Sequence, residues 1–286
     1  MLLLPADVLR PRRPDEHFAP EAAAARAAGL EVALVDHDAL ADVEAGADDA
    51  ERAVARVPAG GGEAVYRGWM LRSERYAEFA RALARRGVAL RTGADQYQRA
   101  HELPGWYPVL APVTSQSVWT TGGRRQDFRR ACANLGPGAA VLRDYTKSMK
   151  HYWAEAAFIP DVADAAAAWR VACRFRDLRE DDFTGGFVLR RFEQFTSGEF
   201  RTWWMAGRCA LTTPHPDTPD EQPPAGVDLA LFAPLIESLG LPFVTLDLAQ
   251  RTDGAWRVVE LGDGQVSDRA ATTAPETLIS AIFPGA

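Results

Sequence analysis

Two carboxylates, Asp247 and Glu260, flank a predicted turn at Thr252-Asp253-Gly254 that joins Phe243 to Ala249 with Ala255 to Leu261. A hairpin centred there sets Asp247 opposite Val258. Strand alternation then places Glu260 on the face of Asp247, one diagonal step away. That step spans roughly 7–8 Å, so both carboxylates reach one point. Two converging carboxylates repel unless a cation sits between them. An all-oxygen donor set suits Mg²⁺, which keeps waters and takes its other ligands from nucleotide phosphates. A register shifted by one residue turns the acids to opposite faces, and an edge strand simply exposes them to solvent.

Three further segments carry polar chemistry. In a strand starting at Glu199, Glu199 and Arg201 share a face. The carboxylate can accept both ribose hydroxyls, although an exposed ion-pair ladder has the same pattern. The run Arg143-Asp-Tyr-Thr-Lys147-Ser-Met-Lys150 puts a basic residue at the end of a buried strand, followed by a Ser/Thr/Lys loop. This suits triphosphate charge. It has no Gly-x-x-x-x-Gly-Lys pattern, and no Gly-x-Gly-x-x-Gly follows any strand, so a P-loop and a dinucleotide site are disfavoured. Arg67, in Tyr66-Arg-Gly-Trp-Met70, ends a first-lobe strand, where parallel sheets bind ligands; that points it to an anionic substrate.

The elements that must position these residues change character along the chain. Strands over Leu30–Val35, Ala64–Met70 and Val88–Leu90 alternate with Ala-rich and amphipathic helices, one capped by Ser73 and closed by Gly87. This order predicts a small parallel, Rossmann-like lobe over residues 1–95. Asp95 to Arg125 reads as a connecting loop into a lobe over residues 96–185. That lobe holds a helix from Gln126 to Asn134, a strand from Ala139 to Arg143, another near Ala156–Ile159, and a long helix capped by Asp161. Residues 186–286 read as an antiparallel α+β lobe: a strand over Phe187–Phe195, a hairpin about Ala206-Gly207, a helix from Asp228 to Leu239, the acidic hairpin and a short helix near Pro275–Ile282.

Composition narrows the function further. The net charge of −7 argues against a bulk nucleic-acid binder. Seven basic residues against two acids between Arg124 and Lys150 suit one phosphorylated ligand, or merely a solvated basic face. Cys132, Cys173 and Cys209 and five scattered histidines form no zinc spacing, which disfavours a transition-metal enzyme and reads as reduced thiols. The apolar start, Met1 to Leu4, is cut short by Pro5 and Asp7, so neither a leader nor a membrane span is expected and the chain is expected in the cytoplasm. Oligomeric state is not encoded in any recognisable pattern.

Taken in order, Tyr66–Met70, Arg143–Lys150, Phe192–Phe195 with Gly198–Arg201, and Asp247 with Glu260–Ser267 resemble the ATP-grasp superfamily. The match is nearest to its compact clade in which an expected arginine is replaced by lysine. The resemblance implies an ATP-grasp fold of mixed α/β and α+β class, a pre-ATP-grasp lobe and two subdomains around ATP and Mg²⁺. It implies that Arg143, Lys147 and Lys150 serve the phosphates, Phe192, Glu193, Gln194 and Phe195 the adenine, and Glu199 the ribose. Asp247, Glu260 and Asp263 are the implied magnesium ligands. Gly262 stands where the family pattern has Asn, and Thr245 where it has Arg, so Lys147, Lys150 or Arg201 would supply the missing charge. The implied activity joins a small-molecule or peptide carboxylate to an amine (or thiol) through an acylphosphate, with Arg67, Lys147 and Arg201 as catalytic groups. A phosphotransferase of the same fold and a non-catalytic ATP-binding module are the alternatives.

Overall fold

The computed structural model describes residues 1–42, 46–196 and 198–285. Its chain contacts fall into two compact units. One comprises residues 1–100, 198–247 and 260–286; the other comprises residues 101–197 and 248–259.

The first unit opens with β1 (Leu2–Pro5), α1 (Ala19–Ala27), β2 (Val32–Val35), α2 (His37–Ala41), α3 (Ala47–Ala53), β3 (Gly62–Tyr66), α4 (Ser73–Arg85) and β4 (Val88–Leu90). The four strands form a parallel sheet in the order β2-β1-β3-β4. The Met1–Leu4 run, expected only not to be a leader, is thus a central strand. Alternation splits its side chains: Leu3 packs with Val35, Leu40, Tyr76 and Phe79, while Leu2 and Leu4 pack with Ala22, Trp203, Phe243 and Leu278. Ser73 is the first helical residue and Arg72 the cap, with no side-chain capping bond.

The second unit departs from the expected loop at 95–125. Helix α5 (Ala94–His101) ends at its border, and α6 (Leu103–Leu110) and β5 (Ser117–Trp119) follow. Leu103, Trp106 and Leu110 are all buried, a helical spacing that Pro104 and Pro108 obscure in the sequence. Next come α7 (Arg125–Leu135), β6 (Ala140–Arg143), β7 (Phe158–Ile159), α8 (Ala165–Arg179) and β8 (Val188–Arg191). Asp164, not Asp161, caps α8, accepting from the amides of Ala166 and Ala167; Asp161 instead accepts from Gly138 and Ala163. The sheet is antiparallel in the order β5-β8-β6-β7. Strand β8, expected to open the last lobe, therefore belongs with this one.

The chain then forms β9 (Phe200–Met205), β10 (Arg208–Pro214), α9 (Ala233–Leu239), β11 (Phe243–Gln250), β12 (Trp256–Asp263) and α10 (Pro275–Ile282). The strands make a third sheet, β10-β9-β11-β12. The expected helix from Asp228 splits into a 3₁₀ turn at Leu229–Leu231 and α9, because Pro234 lacks the amide that would join them. All three cysteines are free thiols, and no described helix is long and apolar enough to cross a membrane.

Candidate functional site

Asp247 sits on β11, and Arg201 on the neighbouring β9 clamps it from both sides. Nε donates to Oδ1 at 2.7 Å and Nη2 to Oδ2 at 2.8 Å, while Nη1 donates to the carbonyl of Asp268 at 2.8 Å. Burial alone would raise the Asp247 pKa. The charge and hydrogen bonds of Arg201, aided by His215, overcome it and hold the carboxyl well below its usual range. Burial also opposes the charge on Arg201, but Asp247 and then Glu260 and Asp268 raise its pKa. The charge of Glu260 thus supports the same guanidinium that clamps Asp247.

His215 completes the cluster. Its Nε2 lies 3.5 Å from Asp247 Oδ2 and 3.8 Å from Glu199 Oε2, and the amide of Asp217 donates to its Nδ1 at 3.2 Å. Burial lowers the His215 pKa, but Asp247 outweighs that and the net shift is upward. Among the described residues, Glu199, His215 and Asp247 are the group whose ligand atoms converge closely enough to hold a metal ion. Sequence reasoning missed His215. A turn at Ala206-Gly207 sets the strand register, but a bulge between Cys209 and Leu211 shifts it, pairing Thr213 with Arg201 and bringing His215 beside Glu199.

The oxygen donors fit magnesium in part. Asp247 stays ionised, its Oδ1 keeps a lone pair beyond the Arg201 bond while Oδ2 is also approached by His215, and Glu260 is half-buried and contributes its charge at the same guanidinium. Asp263 does not fit. It is fully buried in the first unit, its Oδ1 accepts from the amide of Gln265 at 2.9 Å, and its Oδ2 has no partner. Burial pushes its pKa to about 7, so it is enclosed and close to half-protonated at neutral pH.

Arg67 is likewise interior, only 1% exposed. Nε and Nη2 donate to the two oxygens of buried Glu21 at 2.9 and 3.0 Å, and Nη1 donates to the carbonyls of Gly264 and Ser267 at 2.7 Å each. Its guanidinium, expected to meet an anionic substrate, instead fastens the loop after β12 to the end of β3. The two departures from the family pattern meet in the same region. The hydroxyls of Thr245 and Ser267 lie 2.6 Å apart, and a Cβ on Gly262 would stand 3.1 and 3.3 Å from Ser267 and Thr245.

In the second unit, Arg143 is buried and donates to the carbonyls of Asp144 and Thr146 in its own loop. Asp144 is fully buried and accepts from the amides of Thr146 and Lys147 and from Arg179 Nε. That turn presents Lys147 half-buried and Lys150 exposed. In the expected adenine segment, Phe192 donates from its amide to Ala139, and Gln194 accepts from the amide of Thr252. The Glu193 carboxylate is taken by Ser115, Arg251 and Arg257, so it braces the unit rather than facing a base. Phe192 is exposed and packs edge-on against Phe158; Phe195 bridges Arg251. The expected residues thus divide: Arg67, Glu199, Arg201, Asp247, Glu260 and Asp263 in the first unit, and Arg143, Lys147, Lys150 and Phe192–Phe195 in the second.

Residues 134–282, just over half of the chain, match a family of ATP-grasp domains, the third family of the clade in which arginine gives way to lysine. No curated protein sequence matches. Solved structures of the same fold include a RimK domain ATP-grasp protein from Sphaerobacter thermophilus, 18% identical over 99% of each chain with a TM-score of 0.62. D-cycloserine synthetase DcsG is also 18% identical, over 98% of each chain, with a TM-score of 0.60. The ATP-grasp ligase PsnB, solved with a minimal precursor, Mg and ADP, is 13% identical over 99% of this chain and 97% of its own, with a TM-score of 0.57.

Proposed function

Because the chain belongs to the ATP-grasp superfamily, in the third family of its arginine-to-lysine clade, whose cofactors are ATP and Mg²⁺, we propose that it is a ligase joining a carboxylate to an amine, or a thiol, with release of ADP and phosphate. The reading places a parallel-sheet lobe before two ATP-grasp subdomains, in a cytoplasmic protein acting on small-molecule or peptide substrates. ATP with magnesium supplies a phosphoryl group to the substrate carboxylate, and the amine displaces phosphate from the resulting acylphosphate.

The observation that carries this reading is the ionised Asp247, held by Arg201 beside Glu260 and Glu199. Asp247 and Glu260 would hold the magnesium. Arg201 keeps Asp247 charged and oriented, and remains close enough to oppose negative charge developing on a transferred group. Lys147 and Lys150 would meet the phosphates from the Asp144 turn, and Glu199 the ribose. Phe192 to Phe195 would form the adenine wall.

The test is calorimetric titration with a nonhydrolysable ATP analogue, with and without Mg²⁺, in the wild type, Glu260→Gln and the Asp247→Asn/Glu260→Gln double variant. Magnesium-dependent binding that the variants lose is expected. Absence of binding by the folded wild type removes the reading. Binding followed by a phosphorylated acceptor and no coupled amine favours the phosphotransferase. Binding without turnover over a broad pool of acids and amines favours the binding module.

A further inference from the structure

Of the eight large apolar side chains exposed among the described residues, four lie in the loops that follow two adjacent strands of the first sheet: Val8 and Leu9 after β1, Trp69 and Met70 after β3. Both loops leave the carboxyl ends of parallel strands, the edge at which such sheets bind ligands. Trp69, 41% exposed, is not a loose surface residue. Its indole packs on the His17 ring at 4.6 Å and edge-on to Phe18 at 5.0 Å, and its carbonyl accepts from Tyr66 Oη at 3.0 Å. The turn that presents it closes over the Tyr66 ring so tightly that a Cβ on Gly68 would lie 2.2 Å from Tyr66 Oη.

A carboxylate stands beside this wall. His17 Nε2 and Asp268 Oδ1 are 2.8 Å apart, both side chains substantially exposed, and the amide of Arg269 donates to the same oxygen. Asp268 Oδ2 has no hydrogen-bond partner among the described residues. The carbonyl of the same Asp268 accepts from Arg201, whose other nitrogens clamp Asp247. One residue therefore joins the aromatic wall to the carboxylate centre within a single unit. Of the two guanidiniums nearest in sequence to these loops, Arg67 is spent on Glu21 and backbone carbonyls, and Arg269 Nη1 donates to the carbonyls of Ala270 and Thr273. Acidic residues also outnumber basic ones in this unit.

We propose that Trp69, His17 and Asp268 form the subsite for the amine substrate, which is recognised as a primary ammonium carrying an apolar group. Asp268 Oδ2 accepts from the ammonium, the indole face supplies cation–π attraction, and Met70 with Trp69 covers the apolar portion. His17 orients Asp268 from its other oxygen. The proposal rests on the ligase reading for its role, but its recognition chemistry stands apart from the nucleotide.

The test is calorimetric titration of the full chain with phenethylammonium and with phenylacetate, its near-isosteric anion. The wild type is expected to bind the ammonium and discriminate against the anion. Asp268→Asn and Trp69→Ala should each weaken ammonium binding at least about tenfold, while Trp69→Phe retains most of it. Equal binding of phenylacetate, or ammonium binding unchanged in Asp268→Asn, overturns the subsite. The ATP analogue is titrated into the same proteins. Ammonium binding without nucleotide binding overturns the ligase reading alone, and nucleotide binding without ammonium binding overturns the subsite alone.

Discussion

The Arg201–Asp247 pair is nearly excluded from solvent, with two parallel hydrogen bonds. Breaking it from one side leaves a buried charge unpaired, which costs more than the pair contributes. Arg201→Ala is expected to destabilise the protein by about 3–5 kcal/mol in urea unfolding, and Arg201→Ala/Asp247→Asn by clearly less than the sum of the single changes. The Asp247 pKa is depressed in the folded state, so its contribution is present above the ordinary carboxylate range and disappears as pH falls through the folded value. Asp263 has the opposite sign. Its folded pKa near 7 exceeds the unfolded value, so the folded chain holds the extra proton and stability falls as pH rises from about 4 to about 7. Asp263→Asn should remove a pH-dependent component on the order of a few kcal/mol, read by comparing unfolding curves of the two proteins across that range. The side-chain types at 247 and 263 are plain in the sequence. Their opposite environments are not, because alternation along β11 and β12 assigns each a face but cannot say whether that face meets Arg201 or the interior beside Gln265.

Among the elements, the β12 strand and the loop after it pack closely at Gly262. Gly262→Asn, which restores the family's usual residue, places a Cβ against Ser267 and Thr245. It is expected to cost about 1–3 kcal/mol by overpacking, and Ser267→Ala in the same chain should recover part of that loss in thermal melts. At α8, Asp164→Ala removes two amide acceptances and should cost about 1 kcal/mol, whereas the sequence alone favours Asp161 for this role. Both aspartates accept amides, so composition cannot separate them; the start of the helix decides. The long periodic helices and the two C-terminal hairpins are legible because their patterns repeat over many residues. Strand β1 and helix α6 are obscured, the first by its brevity and the second by its prolines.

For the whole molecule, the ligase reading predicts that a nonhydrolysable ATP analogue with Mg²⁺ raises the melting temperature by several degrees at about 100 times its dissociation constant, where linkage supplies about 2.7 kcal/mol. Glu260→Gln should abolish the magnesium-dependent part of that rise. The sequence by itself determined the family and the mixed α/β and α+β class, because strand alternation and motif order are local properties of the chain. It did not determine which charged residues reach solvent. Arg67 and Asp263 look like site groups, yet Glu21, Gly264 and Gln265, drawn from separate parts of the chain, enclose them. His215 and Asp268 look incidental, yet a one-residue bulge and the reach of Arg201 bring them to the centre. Only tertiary structure decided these placements, since desolvation and charge pairing depend on neighbours in space and not on neighbours in sequence.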